Sequence, residues 1–97
     1  MKSIILVAVL LWASIATAHA KQCYEAQATV KQAAPSDKCT QTEKGYANTG
    51  KGVLTHEGCT AAKSQAATKL RARLQESCRA YVQTYDKCSV IDVTSCS

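Results

Sequence analysis

Apolar side chains recur at helical spacing in the C-terminal half of the chain. At about 100° per residue, Ala66, Ala67, Leu70, Leu74, Cys78, Tyr81, Val82, Tyr85 and Cys88 fall within an arc of roughly 160°. Lys69, Arg73, Glu76, Arg79, Asp86 and Lys87 fall outside it, and no glycine or proline lies between Cys59 and Cys88. The pattern predicts one amphipathic helix over about 60–88, with Thr60 as its N-cap and a length of about 40 Å.

The N-terminal part is less decided. Cys23, Ala26, Val30 and Ala33 or Ala34 stand at helical spacing, but Tyr24, Ala26, Ala28 and Val30 also alternate as a strand would. The alanines and the scarcity of β-branched apolar residues favour a helix over about 22–34, ended by Pro35. Thr40 and Glu43 have the spacing of a capping box, which predicts one or two helical turns carrying Cys39. All four glycines lie in 45–58, which reads as the main loop. Val90, Ile91 and Val93 make the tail, 89–97, an extended segment. The expected fold is a small, disulfide-rich, mainly α protein, with the long C-terminal helix packed by the N-terminal one. The alternative is α+β, with 22–30, 51–56 and 89–95 forming a small sheet against the long helix.

Composition changes this picture in one respect: the core is too poor to stand without covalent help. Residues 1–20 have the charged start, apolar run and Ala18-His19-Ala20 ending of a signal peptide, leaving 21–97 as a single cysteine-rich secreted domain. That domain has no Phe and no Trp, and a chain of this size buries too little apolar area to offset its ordering entropy comfortably. Cys23, Cys39, Cys59, Cys78, Cys88 and Cys96 all lie in it, an even set that predicts three disulfides in an oxidising compartment. No cysteine pair has the short spacing of a structural zinc site, and no metal or cofactor is expected.

An unbroken helix restricts the pairing. Bonded cysteines need Cα atoms within about 7 Å, so Cys59, Cys78 and Cys88 are excluded from pairing with one another. Cys96, at most about 28 Å of chain beyond Cys88, does not reach back to Cys59. Cys39–Cys59, closing the glycine loop, is favoured. It is completed either by Cys23–Cys88 with Cys78–Cys96 or by Cys23–Cys78 with Cys88–Cys96. Any bond among Cys59, Cys78 and Cys88 means that the helix is broken.

Charge adds a candidate surface. The formal net charge is +5, or +4 without Lys2. Residues 60–88 hold six basic and two acidic side chains, against five of each in the rest of 21–97. Lys69, Arg73, Arg79 and Lys87 on the helix are the binding candidates, with Tyr46 in the glycine loop. Such a face suits an extracellular or host protein, an anionic glycan or an anionic membrane surface; nucleic acid is not expected. His56-Glu57 is the one histidine–acid pair of 21–97, with no second imidazole for acid–base work and no nucleophile with its base. Enzymatic activity is therefore not expected. The function expected is that of a secreted small cysteine-rich binding protein: an effector, toxin-like or signalling ligand. The alternatives are a membrane-active antimicrobial protein or a protease inhibitor presenting the 45–58 loop.

Overall fold

The computed structural model describes residues 21–96; residues 1–20, where the sequence suggests a signal peptide, and residue 97 lie outside the described residues. Lys21–Val30 is strand β1, not a helix. The alternating pattern prevails over the helical one: Ala26, Ala28 and Val30 are buried on one face, while Gln27 on the other is exposed. Ala47–Val53 forms β2, antiparallel to β1, with Cys23 opposite Val53 and Thr29 opposite Ala47. The 45–58 segment is therefore largely sheet and not the loop its glycines suggest.

The other side of β1 is lined in two pieces. Strand β3, Val82–Thr84, pairs with Ala28–Val30, and β4, Ser89–Val93, pairs with Lys21–Glu25. Both run antiparallel to β1, so they act as one interrupted strand. Between them Tyr85, Asp86, Lys87 and Cys88 stand opposite only Ala26 and Gln27 and bulge from the edge.

One helix, α1, Gly58–Arg71, lies on the even-numbered face of β1. Its buried residues are Gly58, Ala62, Ala66, Ala67 and Leu70, so four of the five carry at most a methyl group. The sheet answers in kind: Gly50 of β2 stands opposite Ala26 of β1 and Gly52 opposite Tyr24, and Ala28 on the same face of β1 is buried too. A Cβ on Gly50 would collide with the Ala62 carbonyl oxygen and the Ala66 nitrogen, and one on Gly52 with the Gly58 carbonyl oxygen. None of the glycines has a positive φ. They are present because the backbones touch. The alanines of β1, which favour a helix by propensity, serve the same purpose of keeping volume out of this contact.

These facts correct the mainly helical expectation. The architecture is a four-stranded antiparallel sheet against one helix, an α+β arrangement in which 47–50 and 82–84 join the sheet and 54–56 do not. The helix expected over 60–88 begins at Gly58, is preceded by Glu57 and not Thr60, and ends at Arg71. Beyond it the chain turns at 72–75, then forms a 3-10 segment, Glu76–Tyr81. The apolar repeat that suggested continuity is nonetheless packed: Ala66, Leu70, Leu74 and Cys78 join Ala28, Val30, Ala34 and Cys39 in one core, with Tyr46, Tyr81 and Val82 against it. Four-residue spacing there records a shared core, filled first by a helix and then by a turn.

The disulfides follow from that break. They are Cys23–Cys96, Cys39–Cys78 and Cys59–Cys88. Neither Cys39–Cys59 nor any of the pairs expected with it (Cys23–Cys88, Cys78–Cys96, Cys23–Cys78, Cys88–Cys96) is formed. Cys59 and Cys88 lie 5.8 Å apart at Cα because the chain reverses after α1 and returns along β1. Gly50→Ala should lower the unfolding free energy by about 3 kcal/mol through overpacking against backbone. Gly45→Ala, with nothing within 4 Å of the new methyl, should leave it within about 0.5 kcal/mol. Urea unfolding of the two oxidised variants checks both.

Candidate functional site

The turn after α1 brings two distant segments together. Cys39 is bonded to Cys78 and both are buried. The Lys38 carbonyl accepts hydrogen bonds from Gln75 Nε2 at 3.0 Å and Ser77 Oγ at 2.8 Å. Glu43 completes the join. Its Oε1 accepts from the Thr40 backbone N–H, whose own side chain accepts from the Glu43 N–H, both at 3.1 Å. This is the capping box read from the sequence, set ahead of a single 3-10 turn, Glu43–Gly45. Glu43 Oε2 accepts from the Gln75 backbone N–H at 2.7 Å. Among the described residues Glu43 is the one charged side chain that is buried. The hydrogen bonds from Gln75 and then Thr40 hold its carboxyl below the ordinary 4.5.

Around this join the basic side chains collect. Segment 31–46 supplies Lys31, Lys38 and Lys44, and 69–81 supplies Lys69, Arg71, Arg73 and Arg79. Both segments lie where β1 ends, β2 and β3 begin and α1 finishes. Against these seven bases stand Asp37, Glu76 and the buried Glu43. The other described residues are neutral overall, with Lys21, Lys51, Lys63 and Lys87 matched by Glu25, Glu57, Asp86 and Asp92. The entire excess of positive charge therefore sits at one end of the molecule.

The candidates named from sequence fare differently. Arg73 and Tyr46 meet: the guanidinium carbon lies 4.2 Å from the ring centroid. Arg73 Nη1 also donates to Asn48 Oδ1 at 3.0 Å and to the Ala47 carbonyl at 3.4 Å. Arg79 Nε donates to the carbonyls of Arg71 at 3.1 Å and Leu74 at 3.4 Å, satisfying acceptors left by the helix end. Lys69 is exposed in the last turn of α1. Lys87 is not brought to this group; it projects from the bulge between β3 and β4, in the other half. Lys31, Lys38 and Lys44 are not among the candidates, because the part of 21–97 outside 60–88 is charge-balanced as a whole. Only the Cys39–Cys78 bond and the capping box carry them to the helix end, and the capping box alone was visible beforehand.

Two other features are set aside from this end. His56 and Glu57 approach to 3.6 Å, but their side chains are 90% and 84% exposed, with no surrounding wall to hold a substrate. An open cleft of about 530 Å³ lies at the opposite pole, lined by Lys21, Gln22, Val53, Leu54, Ser95 and Cys96. Among the described residues no cluster of His, Cys, Asp or Glu is arranged to hold a metal ion.

Because its folded pKa is depressed, ionised Glu43 contributes stability that is complete above 4.5 and is lost as pH falls through the lower folded value. The urea midpoints of the native protein and Glu43→Gln should therefore differ most above the ordinary carboxylate value of 4.5 and converge as the medium is made more acidic than the folded value. No protein-family model matches the chain, and no curated protein or solved structure is detectably similar to it.

Proposed function

We propose that the protein is a secreted, disulfide-stapled binding protein that docks through its basic end onto an acidic extracellular or host macromolecule. The observation that carries this reading is the segregation of charge: one end holds the whole positive excess and the other is neutral. A one-ended field orients a diffusing protein toward an acidic partner and raises its encounter rate. Three disulfides suit an oxidising environment. No helix among the described residues is long and apolar enough to cross a membrane.

The membrane-active alternative draws less support. The apolar face of α1 is packed against the sheet at backbone distance, so a bilayer would gain that face only by dismantling the core. The inhibitor alternative loses most of its loop to β2, which leaves 54–57 as the exposed connection.

Charge reversal distinguishes an oriented surface from net charge alone. Arg73 and Arg79 hold structure together, so lysines are the better probes. Lys38, Lys44 and Lys69 changed together to Glu should weaken salt-sensitive retention on a polyanion matrix by about tenfold or more. The same reversal at Lys51, Lys63 and Lys87 gives an identical net charge and should leave retention near that of the native protein. Equal losses in the two variants, or none in the first, would contradict the proposal.

A further inference from the structure

Taking the docking role of the basic end as given, we infer that its partner is a linear sulfated polysaccharide, with Arg73 acting as a fixed sulfate-binding fork among the lysines. Among the described residues the exposed large hydrophobics are Val53, Leu54, Tyr85 and Val90, and none belongs to 31–46 or 69–81. A stable protein interface needs an apolar or aromatic centre, and an interfacial membrane contact needs apolar surface to bury. This end offers charge and hydrogen-bond donors without either.

Single-stranded nucleic acid is held by bases stacked on exposed rings. The basic end has two tyrosines. The Tyr46 ring carries the Arg73 guanidinium over it, and Tyr81 packs against the core. Neither offers an open stacking face.

Arg73 is itself held in place. Its two hydrogen bonds, to Asn48 and Ala47, both come from Nη1. The residue is exposed and its Nε and Nη2 have no hydrogen-bond partner among the described residues, while the ring and the Nη1 hydrogen bonds hold the plane in place. A guanidinium held this way gives two parallel N–H donors to one oxyanion with little further loss of rotamer freedom. A sulfate monoester spreads its charge over three oxygens and is less strongly hydrated than a carboxylate. It is therefore the better match for a weakly hydrated guanidinium. Lys38, Lys44 and Lys69 come from three separate segments at the same end, so a chain of repeating sulfates suits this surface better than a single small anion does.

Calorimetric titration of the oxidised, secreted protein in about 0.15 M salt tests the inference. The probes are a heparin-derived octasaccharide, a hyaluronan octasaccharide bearing carboxylates only, polyglutamate, a short DNA duplex and phosphatidylserine vesicles. The sulfated octasaccharide should bind about tenfold or more tighter than every other probe. Arg73→Lys, which keeps the charge and removes the fork, should cost about fivefold for that probe and leave the weaker ones unchanged. Asn48→Ala, which frees the guanidinium without touching it, should act in the same direction. Binding of any other probe as tightly as the sulfated one overturns the sulfate assignment while leaving the docking role in place. Unaltered binding by both variants overturns the role of Arg73. Failure of every polyanion to bind overturns the docking role itself.

Discussion

The helix lies on the sheet at backbone distance, and most of the fold depends on that contact. Gly50 and Gly52 leave room for the Ala62 and Gly58 carbonyls, and the alanines of α1 and β1 keep the gap closed. Close packing of small side chains gives many dispersion contacts but removes little apolar area per residue. The large buried aliphatic side chains are at the far end, where Leu70, Leu74 and Val30 gather around Cys39–Cys78. Three covalent links supply what so small a core does not. The outer edge of β2 is covered by side chains as well: Gln65 accepts from the Lys51 N–H at 2.7 Å, and Arg73 donates to the Ala47 carbonyl. On the other side the bulge at Tyr85–Cys88 interrupts the edge, so neither border offers a long run of free pairing groups.

The same packing places the charge. Once α1 stops at Arg71, Cys78 is free to meet Cys39, and Glu43 fastens the loop to the turn through Gln75. The backbone at Lys38 and the 3-10 turn carrying Lys44 are thereby tied to the segment that follows α1. Complementing the helix dipole accounts for bases near the last turn of α1, where each gains about 0.3–1 kcal/mol. It does not account for lysines contributed by 31–46, which lie outside the helix. Those are what turn a favourable helix end into a basic surface.

Much of this was legible in the residues, but the decisive pieces were not. The cysteine set, the Thr40–Glu43 capping box and the apolar identity of Ala66, Leu70, Leu74 and Cys78 all carry over into the structure. The helix boundary does not, because no glycine or proline marks it; the chain turns where Glu43, remote in sequence, and Arg79, from the next segment, capture its backbone. Assuming continuity there excluded Cys59–Cys88 and misdirected the remaining pairs. The alanines of β1 misled for a related reason: small volume and helix propensity belong to the same residue, and only the partner surface decides which one matters. Of the candidate site, Tyr46, Lys69, Arg73 and Arg79 share one end, while Lys87 is separated from them by the bulge. A linear charge count has no means of seeing that separation.

Anchoring by disulfides, a glycine-lined contact and one buried carboxylate produce a molecule whose two ends differ in kind. One carries ordered cations and the other an open cleft beside Val53 and Leu54. The central claim is that the cationic end is the working surface. Mapping backbone amide shifts while a soluble polyanion is titrated into the isotopically labelled, oxidised protein tests this most directly. The account predicts that shifts concentrate at Lys38, Lys44, Lys69, Arg73 and their neighbours and fade as salt is added. Shifts centred on Val53, Leu54 and the cleft, or spread evenly over Lys51, Lys63 and Lys87, would contradict it.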